Sequence, residues 1–165
     1  MTGSTLDTTG LELVRSTRGG AALAGRGLAL CRFWRETSLE EVAILREAFA
    51  IATRRSDDLA FVVVIDEDTD VPKKQVRDGL SAIVRDHAAH LRYWAACVRG
   101  RGVTASSKRT FMRLLMSFGD LRCPWTVAPD PNETIAWLVE QAGSRDAVHD
   151  QARLLAAIDG ARPTD

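Results

Sequence analysis

Residues 59–72, LAFVVVIDEDTDVP, form the stretch that most constrains the fold of this chain. Apolar, mostly β-branched residues continue without polar alternation from position 60 to position 65, and four carboxylates follow within five positions. An apolar run of this length is typical of a strand covered on both faces, as in a parallel sheet with helices above and below. We therefore predict a buried central strand that ends in an acidic loop. A helix is predicted to begin at Val71 and Pro72, because proline in the first helical turn sacrifices no hydrogen bond.

The chain before this strand predicts an antiparallel edge of the sheet. A short alternating strand begins near Leu11, a Gly-Gly turn signal follows, and residues 21–34 return with interruptions at Gly25 and Gly27. We expect a hairpin whose return strand bends or bulges at these glycines, with residues 28–34 as its more regular part.

Amphipathic patterns predict five helices. Ser38 and Glu41 form a capping box at the start of the first, Asp130 and Pro131 mark the start of the fourth, and Gly119 ends the third. The predicted core stripes are Val42, Leu45, Phe49 and Ala52; Val76, Leu80, Ile83, Val84 and His87; Phe111, Leu114, Leu115 and Phe118; Ile135, Leu138, Val139 and Ala142; and Val148, Ala152, Leu155 and Ile158. On this pattern His87 is a hydrogen-bonded residue at the edge of the core and not a catalytic base.

The order of these elements predicts one α/β domain. A hairpin, then helix and strand alternating three times, implies a mostly parallel four- to five-stranded sheet with an antiparallel N-terminal hairpin, flanking helices and a C-terminal helix. Residues 1–10 offer almost nothing apolar to bury and are expected to form a disordered tail. The α/β domain is assigned to residues 11–143. Residues 144–165 are assigned to a helical extension and tail that either packs on the domain or forms a homodimer.

Composition excludes several classes of function. The formal net charge is zero, with 22 basic and 22 acidic residues, so no overall field favours nucleic acid or an acidic membrane, and we expect neither as a partner. No long apolar run and no charged start followed by an apolar segment is present, so a soluble, cytoplasmic protein is expected. Cys31, Cys97 and Cys123 lack CxxC spacing and are predicted to be buried, reduced thiols.

The succession of elements over residues 11–143 resembles the STAS domain, the fold of bacterial anti-sigma-factor antagonists and of the cytoplasmic domains of sulphate transporters. This resemblance implies a small regulatory domain that binds a protein partner, such as a kinase or another regulator. In many members it is controlled by phosphorylation of a Ser or Thr where the central strand turns into the next helix. The family turn is usually Asp-Ser-Ser/Thr-Gly. The nearest stretch here, residues 68–71, puts Thr69 at the phosphoacceptor position and has Asp70 and Val71 in place of the family's second Ser/Thr and its Gly.

The acidic loop supports other hypotheses. It could imitate a phosphorylated residue permanently, since Asp70 is negative near a helix start. Asp66 and Asp68 also resemble the first motif of haloacid-dehalogenase-type phosphohydrolases, which implies a nucleophile, an acid/base and bound magnesium. In that motif Asp70 stands where Thr or Val is usual. Asp66, Asp68 and Asp70 could alternatively form a simple divalent-ion site, because hard cations take closely spaced oxygen ligands.

We therefore predict a non-catalytic STAS-like regulatory module that acts by protein–protein interaction, with no catalytic residue, no metal and no cofactor. The alternative is a small metal-dependent phosphohydrolase or a ligand-binding protein that uses the acidic loop. Basic residues at the start of the third helix suit an acidic partner. The predicted partner surface comprises Asp66, Asp68, Thr69, Asp70, Lys73, Lys74, Lys108 and Arg109. Aromatic residues, among them Trp94, are expected chiefly in the core, although several in a parallel sheet can line a cavity for an apolar ligand.

Overall fold

The computed structural model describes residues 6–118 and 121–162, without the side chain of Phe118. Within those residues the chain has six strands and five helices. The strands are β1 (Glu12–Ser16), β2 (Gly20–Gly25), β3 (Leu28–Phe33), β4 (Leu59–Ile65), β5 (Leu91–Val98) and β6 (Trp125–Ala128). The helices are α1 (Leu39–Arg54), α2 (Lys74–Asp86), α3 (Gly102–Phe118), α4 (Pro131–Gln141) and α5 (Ala147–Gly160). The protein is therefore α/β, as predicted.

The six strands form one mixed sheet in the order β1-β2-β3-β4-β5-β6. The β1–β2 and β2–β3 pairs are antiparallel, and the remaining three pairs are parallel. The prediction of four to five strands with one N-terminal hairpin is wrong, because residues 21–34 form two strands and not one bent strand. Between them lies a tight turn in which Gly27 has φ +68°, and a Cβ there would lie 2.5 Å from the Asp58 carbonyl oxygen. Only glycine tolerates both conditions.

Alternate residues of β4 supply two cores on opposite faces of the sheet. Phe61 and Val63 pack in a cluster with residues of α1, α2 and α3, whereas Val62 and Val64 pack in a second cluster with residues of α4 and α5. Three successive right-handed crossovers that advance in one direction place their helices on one face, which explains the first layer. The prediction of a central strand covered on both faces is confirmed.

The predicted helix starts are confirmed where a side-chain cap carries the signal. Ser38 caps α1 and forms the capping box with Glu41, and Asp130 caps α4 with Pro131 in the first turn. The start of α2 was predicted wrongly. This helix begins at Lys74, so Pro72 lies outside it, and its N-cap residue makes no side-chain capping hydrogen bond.

The buried face of α3 differs from the predicted stripe. Ala105, Met112 and Met116 are buried, whereas Leu114 is 48 % exposed. Apolar residues occupy more than one side of this helix, so its sequence does not fix which side faces the sheet. The side chain of Phe118 and the whole of Gly119 lie outside the described residues, so that part of the predicted stripe and the predicted helix end are not addressed.

The two ends of the described chain pack together. Leu6 is buried in the second core, and the Thr8 hydroxyl donates a 2.5 Å hydrogen bond to the buried Asp150 carboxylate, which also accepts a hydrogen bond from Ser144. Positions 6–10 of the expected disordered tail therefore include packed residues, while residues 1–5 lie outside the described range.

Helix α5 is part of the second core. It contributes Leu154 and Ile158, although Val148 of the predicted stripe is 82 % exposed. The extension predicted from residue 144 onward thus packs on the domain, and the boundary at residue 143 does not separate two packed units.

Two further expectations concern the thiols and the membrane. Cys31 and Cys97 are buried free thiols, as predicted, and burial raises the pKa of Cys97 to about 11. Cys123 is half-buried. No helix in the described part of the chain is both long and apolar enough to cross a membrane.

Candidate functional site

The carboxyl ends of β3, β4 and β5 lie at one edge of the sheet, because these strands are adjacent and parallel. The loops that follow them lead into α1, α2 and α3. Ligands and partners of open α/β sheets usually bind at this edge. All eight residues of the predicted partner surface lie in these loops or in the first two turns of the helices that follow, but their environments differ widely.

Asp66 is held in an ion-pair network. Its Oδ2 accepts hydrogen bonds from Arg32 Nε and Nη2, at 3.0 and 2.8 Å, and its Oδ1 accepts one from Arg99 Nη1 at 3.3 Å. Arg32 Nη1 also donates to the carbonyl oxygens of Ile158 and Ala161 at the end of α5. The Asp66 side chain is 18 % exposed. This carboxylate therefore connects the ends of β3, β4 and β5 and is largely shielded from solvent, and Arg32 extends the network to the last helix.

Thr69, the position that the STAS resemblance gives to the phosphoacceptor, is 3 % exposed. Its hydroxyl donates a 2.8 Å hydrogen bond to the Phe33 carbonyl oxygen, and its amide donates to the Asp66 carbonyl oxygen. The first bond holds the acidic loop against the end of β3, and the second closes a turn within the loop. A kinase could reach this hydroxyl only after the loop had opened.

Asp68 and Asp70 are exposed, as the prediction of a partner surface requires. Lys73 forms a 2.6 Å ion pair with Glu36, and the hydrogen bond and charge of Glu36, with a smaller contribution from Asp70, raise the pKa of Lys73. Lys74 pairs with Asp78 one turn along α2. These are solvent-exposed pairs, so they contribute little to stability and leave the charges available to a partner.

Lys108 and Arg109 both donate hydrogen bonds to backbone carbonyl groups of neighbouring segments. Lys108 Nζ donates to the Glu67 carbonyl oxygen at 2.8 Å, which links α3 to the acidic loop. Arg109 Nη1 donates to the carbonyl oxygens of Val98, the last residue of β5, and of Gly100 in the loop that follows. The sequence placed both cations at the start of α3 but gave no sign of these contacts.

The carboxylates of the acidic loop do not converge. Asp66 is turned into the network with Arg32 and Arg99, while Asp68 and Asp70 are exposed. Among residues 6–118 and 121–162, no group of three or more His, Cys, Asp or Glu side chains is placed to hold a metal ion. His87, the C-cap residue of α2, bonds through Nδ1 to the Ile83 carbonyl oxygen and contacts the ring of Phe49, as expected for a residue at the edge of the core.

Large apolar side chains are exposed at this same edge, and sequence analysis missed them. Leu39 begins α1, Val71 precedes α2 and Val103 lies in the first turn of α3, and their exposed fractions are 56, 54 and 85 %. We call these three residues the edge cluster. Each could have been noticed as an apolar residue next to a predicted helix start, but only the strand order places the three loops side by side.

A cavity of about 590 Å³ lies between the sheet and the helices α2 and α3. Its volume is in the range of small-molecule sites. The residues that form its wall are mainly apolar and include Phe61, Val63, Leu80, Trp94, Phe111 and Leu115. The general expectation that aromatic residues of the sheet can line a cavity is confirmed for Trp94.

The cavity exists because α2 leans on α1 and stands away from the sheet. Gly79 allows the approach to α1, since a Cβ at this position would lie 2.9 Å from Cγ1 of Val42. Of the thirteen residues of α2, Val76 and Ile83 are the buried ones. Leu80 and Val84 are half-buried, and both line the cavity.

No protein-family model, curated protein or solved structure significantly matches this chain.

Proposed function

We propose that this chain is a non-catalytic, STAS-like regulatory module that binds a protein partner through the carboxyl edge of its parallel strands. The observation that carries the proposal is the edge cluster, Leu39, Val71 and Val103, which is exposed at or just before the starts of α1, α2 and α3. Exposed apolar side chains bordered by charged ones are characteristic of protein interfaces, which have an apolar centre and a polar rim.

The charges beside the edge cluster suit such an interface. Asp68, Asp70, Lys73 and Lys74 are exposed around the start of α2. Mixed charges at the rim of an interface favour a partner of complementary pattern and raise the rate of association more than the affinity. The partner class that the STAS resemblance implies is a kinase or another regulator in the bacterial cytoplasm.

Two observations support binding over the phosphohydrolase alternative. Both carboxylate oxygens of Asp66, which would be the nucleophile, accept hydrogen bonds from guanidinium groups. Asp68, the acid/base of that alternative, is exposed to solvent, whereas Asp66 is turned into the network with Arg32 and Arg99. The alternation of strands and helices from β3 to α3, with all three helices on one face, supports the STAS-like interpretation.

The test compares partner capture by three forms of the full chain. Immobilised wild-type protein is exposed to extract of the native host, and bound proteins are quantified by mass spectrometry. The variant Val71→Asp/Val103→Asp places charge in the centre of the edge cluster. The control is Val148→Asp, because Val148 is 82 % exposed, close to the 85 % of Val103, but lies on α5.

We expect one regulator to be captured by wild type and by the control and lost from the double variant, while thermal unfolding of all three forms stays the same. Equal capture by the double variant would contradict the proposed surface. Sedimentation analysis of the same forms distinguishes a second copy of this chain, since a homodimer through the edge cluster would dissociate in the double variant alone.

A further inference from the structure

The cavity between the sheet, α2 and α3 has the composition of a site for an apolar molecule with one negative charge. Among the described residues that line it, the cations are Arg77, Arg85 and Lys108, and the only carboxylate is Asp70. The remaining wall is dominated by aliphatic and aromatic side chains. An apolar interior with a few placed polar groups is the general pattern of ligand sites, in which the polar groups fix orientation.

Arg77 is the cation of the cavity best placed to pair with the negatively charged group of a ligand. Its guanidinium carbon lies 5.9 Å from the ring centroid of Phe111, another wall residue, and its side chain is half-buried. No carboxylate partner is found for it in the described parts of the chain. The nearby acid Asp70 instead acts on Lys73, whose pKa is raised first by Glu36 and then by Asp70. A planar guanidinium on an apolar wall is suited to bidentate pairing with a carboxylate.

The wall contains a second unmatched polar group. Trp94 is 3 % exposed, and its indole N–H has no hydrogen-bond acceptor among the described residues. A buried donor without an acceptor is unfavourable, and such groups call for an explanation. This observation is independent of the charges and points to the same wall.

The extent of the cavity along α2 is long enough for an alkyl chain. Both Arg77 and Arg85 line it, and eight residues of helix correspond to about 12 Å along α2. The cavity reaches solvent where Val71 and Arg85 are exposed. A ligand could therefore extend along α2 with its charged end beside Arg77.

We propose that this cavity binds a fatty acid, with the alkyl chain between α2 and the sheet and the carboxylate paired with Arg77. The carboxylate accepts hydrogen bonds from the guanidinium, and no covalent bond is made or broken. The apolar wall contributes to affinity because it removes the alkyl chain of the ligand from water. The opening of this cavity shares Asp70, Val71 and Lys108 with the proposed partner surface. Its test nevertheless uses the isolated chain and does not depend on any partner.

The experiment is calorimetric titration of the full chain with saturated fatty acids from octanoate to palmitate, each below its micelle concentration. Decanol serves as the uncharged equivalent of decanoate, and naphthoate as a compact ring carboxylate. The variant Arg77→Met removes the charge and keeps an apolar stem. The control Arg153→Met removes an exposed arginine from α5, away from the cavity.

We expect the acids to bind more tightly than decanol and naphthoate. Arg77→Met should weaken decanoate binding by about tenfold or more and leave decanol binding unchanged, because a charge-assisted pair is lost. Arg153→Met should change neither. A further variant, Val84→Phe, fills the cavity from α2 and should abolish binding of both while thermal unfolding stays at or above the wild-type temperature.

Three results would overturn the inference. If no acid binds, the cavity is not a fatty-acid site. If decanoate binds wild type and Arg77→Met equally well, its carboxylate does not pair with Arg77. Tighter binding of naphthoate than of any fatty acid shows that the occupant is an aromatic acid and not an alkyl chain. Unfolding curves recorded for each variant distinguish loss of binding from loss of the fold.

Discussion

The Arg32 guanidinium donates two hydrogen bonds to the Asp66 carboxylate, at 3.0 and 2.8 Å, across the ends of β3 and β4. The side chains of the pair are 11 and 18 % exposed, and Arg32 also holds the carbonyl oxygens at the end of α5. A positive charge near a helix C-terminus is favourable. Asp66, the first carboxylate of the acidic loop, therefore has a structural role, and its substitution should reduce the stability of the fold.

Asp66→Asn should lower the free energy of unfolding by about 3 kcal/mol, because it leaves Arg32 and Arg99 without their common anion in a largely buried place. Urea denaturation followed by circular dichroism measures this change. Asp68→Asn is the matched control, since Asp68 is exposed, and it should change stability by no more than about 0.5 kcal/mol. If an aryl phosphatase activity were found and vanished in a fully stable Asp66→Asn protein, the structural role assigned to Asp66 would be wrong.

Glu41 should make stability depend on acid pH. Burial by itself raises the pKa of this carboxyl, but hydrogen bonds from Ser38 and Thr17 outweigh it and hold the pKa below its ordinary value of 4.5. A lowered pKa in the folded state stabilises the fold above the unfolded-state pKa, and this contribution is lost as the pH falls through the folded-state pKa. Glu41→Gln should therefore be less stable than wild type at neutral pH by about 1 to 3 kcal/mol.

The difference in the free energy of unfolding between wild type and Glu41→Gln should decrease below about pH 4.5, because protonation of Glu41 removes the stabilisation that its charged form provides. Thermal or urea unfolding at a series of pH values gives the comparison. Glu40→Gln is the neighbouring control, because Glu40 is exposed and its change should be small at every pH. If the difference in the free energy of unfolding between wild type and Glu41→Gln is constant across the acid range, Glu41 is not the titrating group.

Gly79→Ala should reduce stability even though alanine favours a helix by about 1 kcal/mol over glycine. The new Cβ would lie 2.9 Å from Val42 Cγ1, and Val42 is buried and has a stiff, β-branched side chain. We expect a net loss of about 1 kcal/mol in urea denaturation.

The contact between α1 and α2 can be isolated by a double-mutant cycle with Val42→Ala, which removes the clashing methyl groups. The cost of Gly79→Ala should then fall or change sign, with a coupling energy of at least about 0.5 kcal/mol. Additive effects would mean that this contact does not set the position of α2.

Thr69 should resist substitution by a charged residue. Thr69→Val loses the hydrogen bond to the Phe33 carbonyl oxygen and should cost about 1 kcal/mol, whereas Thr69→Glu buries a carboxylate and should cost about 3 kcal/mol or more. Thr104→Glu, at an exposed position in the first turn of α3, is the control and should be nearly neutral. A stable Thr69→Glu protein would show that the loop opens easily, and phosphorylation at Thr69 would then be compatible with the fold.

Local patterns predicted much of the fold. Residues 60–65 identified the central strand, since an apolar run without alternation has both faces to bury. Ser38 with Glu41, and Asp130 with Pro131, located two helix starts, because a cap depends on atoms within a few residues. Prediction failed at α2, whose start has no side-chain cap, and at the turn between Gly25 and Gly27, where two strands had been joined into one.

The candidate site could be predicted only in outline. The acidic loop and the basic start of α3 were visible in the sequence, but the burial of Thr69 and the pairing of Asp66 were not. Arg32 and Asp66 lie 34 positions apart, and nothing in the local sequence of either specifies the other. The edge cluster was likewise hidden, because it depends on the order of the strands.

The sequence by itself determined that Asp66 to Asp70 would follow a buried strand, that helices would alternate with the parallel strands, and where two of the five helices begin. Only the tertiary structure decided which charged side chains are exposed to solvent and which are held in ion pairs. It also decided that α2 stands away from the sheet, since that depends on how closely Gly79 approaches Val42. Apolar pattern specifies which side of a segment is buried, but a cavity is the difference between the volume that packed elements enclose and the volume their side chains fill.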